Sequence, residues 1–235
     1  MSTLAVIPAR GGSKRIPRKN LADFAGRPLM AHILETARNS GLFEEIHVST
    51  DDAEIAETAS ALGHPPAFMR DPALADDFVG VIEVLHWVYE RYAADARRFE
   101  TVTLLMATAP LLEPSDLRDG YAMYERLGGT RPVLAVAPYP APVEWAFRLG
   151  DDGVLDPVEP GMADIRSQDL TPSWYDSGTF AIFPPSSLSQ PLVEAGSFTA
   201  FPIAPYKAID IDDPDDLRFA EIVWRGMRML AAERD

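Results

Sequence analysis

Apolar residues along the chain fall into two alternating patterns, short continuous runs and longer stretches with a three-and-four spacing, which predict strands and helices in turn. TLAVIPA (3–9) reads as a strand, a Gly- and Pro-containing loop follows, and PLMAHILETARNSG (28–41) places Leu29, Ile33, Leu34 and Ala37 on one helical face. Pro28 suits the first turn of that helix and Gly41 the left-handed position just past its end. EEIHVST (44–50) is a second strand. Asp51 and Glu54 are spaced as a capping box that opens a helix over 52–63, closed by Gly63. PAFMR (66–70) predicts a short strand, 79–93 a helix, TVTLLMA (101–107) a strand, 114–128 a helix entered through Pro114, and PVLAVAP (132–138) a further buried strand.

Strand and helix in regular alternation predict an α/β fold with a mostly parallel, Rossmann-like sheet covered on both faces, and ligands beyond the carboxyl ends of its strands. From about 139 to 191 the alternation breaks into turn-rich sequence with WAFRL (145–149) and GTFAIF (178–183) as strand-like islands. This stretch reads as a β-rich excursion from a single domain spanning 1–235. The chain then returns through YKAIDID (206–212) to a C-terminal helix from Pro214.

Charge sharpens this picture at one place. The chain carries a formal net charge of -15, yet IPARGGSKRIPRKN (7–20) holds Arg10, Lys14, Arg15, Arg18 and Lys19, and the first acidic residue is Asp23. An acidic molecule repels nucleic acid and anionic membranes at long range, so the island predicts capture of a small phosphorylated ligand, with no nucleic-acid or membrane partner. Gly11 and Gly12 remove side chains so that backbone N–H groups can approach phosphate oxygens, with Arg10, Lys14 and Lys19 supplying charge. The loop matches neither the Walker nor the dinucleotide glycine fingerprint. Its plainer alternative is a solvated basic loop.

A second constellation is IDID (209–212). In an extended segment Ile209 and Ile211 face the core while Asp210 and Asp212 share the other face, where a hard divalent cation resolves their repulsion. Helix capping accounts for Asp213 and Asp216 but not for Asp210. In RSQDL (166–170) and WYDSGTF (174–180), Arg166 suits a carboxylate, and Gln168 and Asp176 suit amides or hydroxyls; an ordinary polar loop explains them equally well. Thr108 in ATAP (107–110) offers a hydroxyl at a strand's end. His86 beside Trp87 reads as packing.

The chain has no cysteine, which excludes disulfides and thiolate metal sites and fits a reducing compartment. No apolar leader region stands at the N-terminus and no apolar run reaches about 18 residues, so a cytoplasmic location is expected.

Taken together, IPARGGSKRIPRKN, VSTDDAEIA, ADDF, ATAP, RSQDL and DIDDPDDL resemble the CMP-sialic acid synthetase (acylneuraminate cytidylyltransferase) family, closest to its pseudaminic acid branch, across essentially the whole chain. The resemblance implies a nucleotidyltransferase fold, transfer of CMP from CTP to the anomeric hydroxyl of an acidic nine-carbon sugar, release of pyrophosphate, Mg²⁺ as cofactor, and a homodimer built through the excursion. Carried over by motif, Arg10, Lys14 and Lys19 would hold the triphosphate, with Ala9, Gly11, Gly12 and Ser13 beside them. Asn20, Arg70, Asp77, Thr108 and Ala109 would line the nucleotide pocket, Arg166, Gln168 and Asp176 would meet the sugar, and Asp210 and Asp212 would carry the metal.

The branch usually has hydroxyl-bearing residues where this chain has Val79 and Val81, and His-Asp-Ala-Gly-Gln-Phe where it has Tyr175 to Phe180. Both departures fall at the expected sugar pocket. The sequence leaves open the general base, a legionaminic, neuraminic or deoxy-octulosonic acid as the acceptor, a non-catalytic nucleotide-binding module, and a basic nucleic-acid contact.

Overall fold

The computed structural model describes residues 2–75, 80–189 and 198–233. In chain order the main elements are β1 (Thr3–Pro8), two short paired strands β2 (Asp23–Phe24) and β3 (Arg27–Pro28), α1 (Leu29–Ser40), β4 (Glu45–Ser49), α2 (Ala53–Ala61), α3 (Val81–Ala94), β5 (Thr101–Leu105), α4 (Pro114–Arg126), β6 (Val133–Pro138), β7 (Phe147–Leu149), β8 (Leu155–Pro157), β9 (Trp174–Phe183), β10 (Thr199–Pro202) and α5 (Pro214–Ala232).

Six strands form the central sheet in the order β10-β6-β9-β5-β1-β4. β1 runs parallel to β4 and β5, and β10 runs parallel to β6, while β9 is antiparallel to both of its neighbours. The two-residue periodicity of β1 sends Ala5 and Ile7 to one face, against Ile33 and Leu34 of α1 and Ile55 of α2. Leu4 and Val6 go to the other, against Val84, Leu85 and Val88 of α3. Burial on both faces is why the parallel strands read as unbroken apolar runs. α5 packs through Ala220 on a smaller cluster with Phe24, Leu29 and Ile211, which ties the C-terminal helix to the segment after the cationic loop.

Several expectations change at this level. PAFMR forms no strand; Arg70 there is held by its own hydrogen bonds rather than by sheet pairing. The cap of α2 is Asp52, whose side chain accepts from the N–H groups of Glu54 and Ile55, so the box spacing of Asp51 and Glu54 pointed one residue too early. GTFAIF belongs to ten-residue β9 in the middle of the main sheet, so the excursion from the sheet ends before Trp174. Ile209 to Asp212 forms no strand and pairs with none. Its alternation persists through burial alone, with Ile211 buried and Ile209 packed in the same small cluster. β10, unanticipated, takes the sheet edge instead.

The excursion proper is a β7–β8 hairpin with every strand residue exposed. β9 is irregular where it faces β6: Leu134 pairs with Ala181, but Val136 pairs with Asp176, so β9 carries extra residues between these points. Ser177 donates from Oγ to the Ala135 carbonyl inside this bulge, and Gly178 takes φ +63°. Bulges of this kind re-aim a strand next to a functional cleft.

Candidate active site

The loop after β1 is held in shape by ties to three elements. Ala9 N–H extends the β1–β4 ladder by donating to Ser49 O, and Asn20 Nδ2 closes the loop by donating to Arg10 O at 3.0 Å. Arg18 adopts left-handed backbone (φ 53°) at the start of a short turn over Lys19–Leu21, and its guanidinium pairs with Asp52 at 2.8 Å and Glu54 at 2.9 Å on α2. Gly11 lies against the same Asp52: a Cβ there would stand 2.5 Å from Oδ2. The missing side chain of Gly11 therefore makes room for the α2 cap, while the space beside Gly12 is open.

So shaped, the loop forms one wall of a cleft of about 390 Å³ at the carboxyl ends of β1 and β5. Arg10, Ser13, Lys14, Lys19 and Asn20 line it from the loop, joined by Arg15, a cation of the island with no role assigned from sequence. Thr108 faces them from the turn after β5, and Asp210 and Asp212 close the far side. Ala9 and Ala109 are buried just behind this surface.

The acidic wall is fixed from below. Asp213 caps α5, and Asp216 Oδ2 accepts from the N–H groups of both Asp212 and Asp213, so the backbone that presents Asp212 is locked into a helix N-terminus. Lys19 Nζ donates to the Ile211 carbonyl and to Asp212 Oδ1, joining the cationic loop to this segment. Arg15 Nη2 reaches Asp212 Oδ2 at 2.8 Å. Burial opposes ionisation of Asp212, but the hydrogen bond and charge of Lys19, aided by Arg15, outweigh it and hold its carboxyl below the ordinary range.

Asp210 has no such partner among the described residues, and burial together with the neighbouring Asp212 charge pushes its carboxyl above that range. The β9 bulge brings Gly178 against it, a Cβ there meeting the Asp210 carboxylate at 3.7 Å. Asp176 is drawn into the same turn, accepting from Gly178 N–H at 2.9 Å. Gly178 carries no sequence signal of this approach, because the contact depends on a bulge set by long-range strand pairing.

The remaining expected residues sit elsewhere. Arg70 is buried behind the cleft, donating through Nε to Ser49 Oγ at 3.0 Å and through Nη2 to Ser49 O. Burial and the charge of Arg10 lower its pKa against the opposing pull of Asp51. His47 packs tilted on Phe68 and edge-on to Tyr92, its pKa driven down to about 3 by burial and by Arg70, which keeps the ring neutral. Arg166 and Gln168 are exposed on the excursion, where Arg166 pairs with Asp169 at 2.9 Å, and neither lines the cleft. Asp77, Val79 and the rest of ADDF beyond Ala75 lie outside the described residues.

A second hollow, about 300 Å³ between α1 and α5, includes His32, Glu35, Trp224 and Arg228 and shares no residue with the cleft. His32 there makes edge-to-face contacts with Phe24 and Trp224 and is bonded to Phe24 O, an arrangement that packs α5 rather than gathering reactive groups.

The chain matches a known group of enzymes. A family model described as cytidylyltransferase matches residues 4–139. A pseudaminic acid cytidylyltransferase of Campylobacter jejuni is 35% identical over 226 residues, covering 96% of this chain and 97% of its own. The chain belongs to the cytidylyltransferase family. Its CTP dependence follows from that membership. This cytidylyltransferase is also 32% identical over 233 residues to a CMP-N,N'-diacetyllegionaminic acid synthase of Legionella pneumophila, with 94% of this chain and 95% of that one covered. A CMP:2-keto-3-deoxy-manno-octonic acid synthetase solved with CTP superposes with a TM-score of 0.72 over 97% of the cytidylyltransferase and 100% of that chain; at 18% identity this is a likeness of fold. No helix among the described residues is long and apolar enough to cross a membrane.

Proposed function

We propose that the enzyme transfers CMP from CTP to the anomeric hydroxyl of pseudaminic acid. The observation that carries the substrate assignment is the 35% identity over nearly the full length of both chains to a cytidylyltransferase named for that sugar. Cleft chemistry supports the reaction class, because one wall is cationic and the other carries two carboxylates.

The donor set fits Mg²⁺. Asp210 and Asp212 are both hard oxygen donors, and Asp210 is held protonation-prone by burial and by its neighbour, the repulsion a divalent cation relieves. Among the described residues no cluster of three or more metal-ligating side chains gathers, which suits an ion that keeps waters and takes substrate phosphate oxygens as further ligands. Bound there, Mg²⁺ would neutralise phosphate oxygens and favour in-line displacement.

The chain's own residues supply the rest. Arg10, Lys14 and Lys19 face the triphosphate and stabilise the charge that grows on the departing pyrophosphate. The open side of Gly12 lets backbone N–H groups approach phosphate oxygens, and Ser13, whose own N–H is donated to Gly11 O, adds its hydroxyl to the lining. Thr108 and Asn20, with Arg70 anchored behind the cleft, orient the nucleoside. The anomeric oxygen attacks the α-phosphorus, the new O–P bond forms as the bond to pyrophosphate breaks, and the hydroxyl proton passes to solvent water. Asp176, at the bulge near Asp210, is proposed to meet the sugar; Arg166 and Gln168 lie exposed outside the cleft, so their sugar contact rests on the family resemblance alone. The reaction runs in the cytoplasm, where CTP is held.

Incubation with CTP, Mg²⁺ and a panel of nonulosonic acids tests this. Pyrophosphate release is expected with pseudaminic acid at a kcat/KM at least about tenfold above that for N,N'-diacetyllegionaminic, neuraminic or deoxy-octulosonic acid. A higher value with the legionaminic sugar would move the assignment to that branch, and CTP binding without pyrophosphate from any sugar would leave only a nucleotide-binding module.

The excursion is proposed to join two copies of the enzyme. Leu149 is 72% exposed, and Leu155 and Phe147 stand open on the same hairpin, an apolar content that suits an interface better than solvent. Sedimentation should give a dimer at micromolar concentration, and Leu149→Asp with Leu155→Asp should yield a folded monomer. A monomeric unsubstituted enzyme at that concentration refutes the dimer.

A further inference from the structure

Two cations share Asp212, and the structure holds them in different ways. Lys19 is largely covered, its side chain 18% exposed, and one of its two bonds is to the Ile211 carbonyl, an acceptor fixed in the backbone. Lys19 is therefore anchored whether or not Asp212 has another ligand. Arg15 approaches the opposite oxygen, Oδ2, from the solvent side with 66% of its side chain exposed, and among the described residues this is its one ion pair. Both carboxylate oxygens of Asp212 are thus covered by cations, whereas Asp210 beside it has no ion pair among the described residues.

We infer that Arg15 is an exchangeable counter-ion, covering Asp212 in the free enzyme and moving to the triphosphate when CTP and its divalent cation enter. The inference rests on the metal role proposed for Asp210 and Asp212. An exposed pair of this kind is weak, so releasing it costs little. A guanidinium matches phosphate oxygens bidentately, so the released group gains a better partner in a cleft it already lines. The exchange couples the two ligands: nucleotide draws Arg15 away and opens Asp212 to the cation, and by reciprocity the cation frees Arg15 for nucleotide. Arg18, in the same loop, is excluded from this role because Asp52 and Glu54 hold it against α2.

The test is Mn²⁺ binding to the nucleotide-free enzyme, followed by the electron paramagnetic resonance of free Mn²⁺, beside calorimetric CTP binding in Mg²⁺ without a sugar acceptor. Arg15→Gln should bind Mn²⁺ about two- to fivefold more tightly than the unsubstituted enzyme, and CTP at least about tenfold more weakly. Arg18→Gln serves as the control for simple loss of positive field. An equal gain in Mn²⁺ affinity in Arg18→Gln, no gain in Arg15→Gln, or unchanged CTP affinity in Arg15→Gln overturns the exchange. Asp210→Asn and Asp212→Asn separate this from the reading beneath it: both losing Mn²⁺ while Arg15→Gln behaves as the unsubstituted enzyme removes the exchange alone. Mn²⁺ binding unaltered in both carboxylate variants removes the metal site and the exchange together.

Discussion

Asp210→Asn and Asp212→Asn should each lower turnover by about two to four orders of magnitude while leaving the protein folded, because each removes a carboxylate charge at the proposed Mg²⁺ position. Asparagine preserves volume and an oxygen, so the α5 cap, which is carried by Asp213 and Asp216, stays intact. In Asp212→Asn the cations Lys19 and Arg15 lose their counter-charge, but Arg15 is exposed and Lys19 keeps the Ile211 carbonyl, so the thermal midpoint should move by only a few degrees. Asp210→Asn should not lower the midpoint, since Asp210 ionises against burial and a like charge in the metal-free enzyme. The measurement is kcat at saturating CTP and sugar over a Mg²⁺ titration, with a melting curve for each variant. Near-normal kcat in both, at ordinary Mg²⁺, would falsify the metal assignment.

The parts of this site that could be read from sequence are those whose information is local. The cationic loop announces itself by five cations without an acid, and IDID by its alternation, which survives even though no strand pairs with it. The sheet class was legible for the same reason, as periodicity in β1, β5 and β6. What sequence withheld depends on distant partners. Only GTFAIF, the second part of β9, reads as strand-like from its own residues, and its antiparallel place between β5 and β6 is set by pairing with segments about forty to eighty residues away. The bulge that lays Gly178 against Asp210 follows from that placement.

Nor could the island be divided into roles from its own composition. Arg18 goes to α2, Arg15 and Lys19 go to the segment before α5, and Gly11 gives its space to Asp52. Adjacent aspartates explain the misplaced cap: Asp51 and Glu54 have the right spacing, but Asp52 is the residue whose carboxylate meets the free N–H groups of α2. Arg166, Gln168 and Asp77 rest on resemblance, the first two being exposed on the excursion and the third outside the described residues.

Lys19→Met should be the most damaging single change in the loop. Lys19 Nζ bridges 192 residues of sequence to reach the Ile211 carbonyl and Asp212, so it both faces the triphosphate and joins the two walls of the cleft. Methionine retains the length of the stem and removes the charge. Loss of a charge-assisted bond to a part-buried acceptor is worth about 1.5–3 kcal/mol, which should appear as a lower thermal midpoint. Loss of a preorganised cation from the leaving group should lower kcat by about a hundred- to a thousandfold beyond any rise in the KM for CTP. The split is diagnostic: a fallen midpoint and raised KM with kcat intact would assign Lys19 to joining the walls only. Lys19→Arg separates the two functions further, since it keeps the charge but not the single point donor that fits the Ile211 carbonyl. It should recover part of kcat and little of the midpoint.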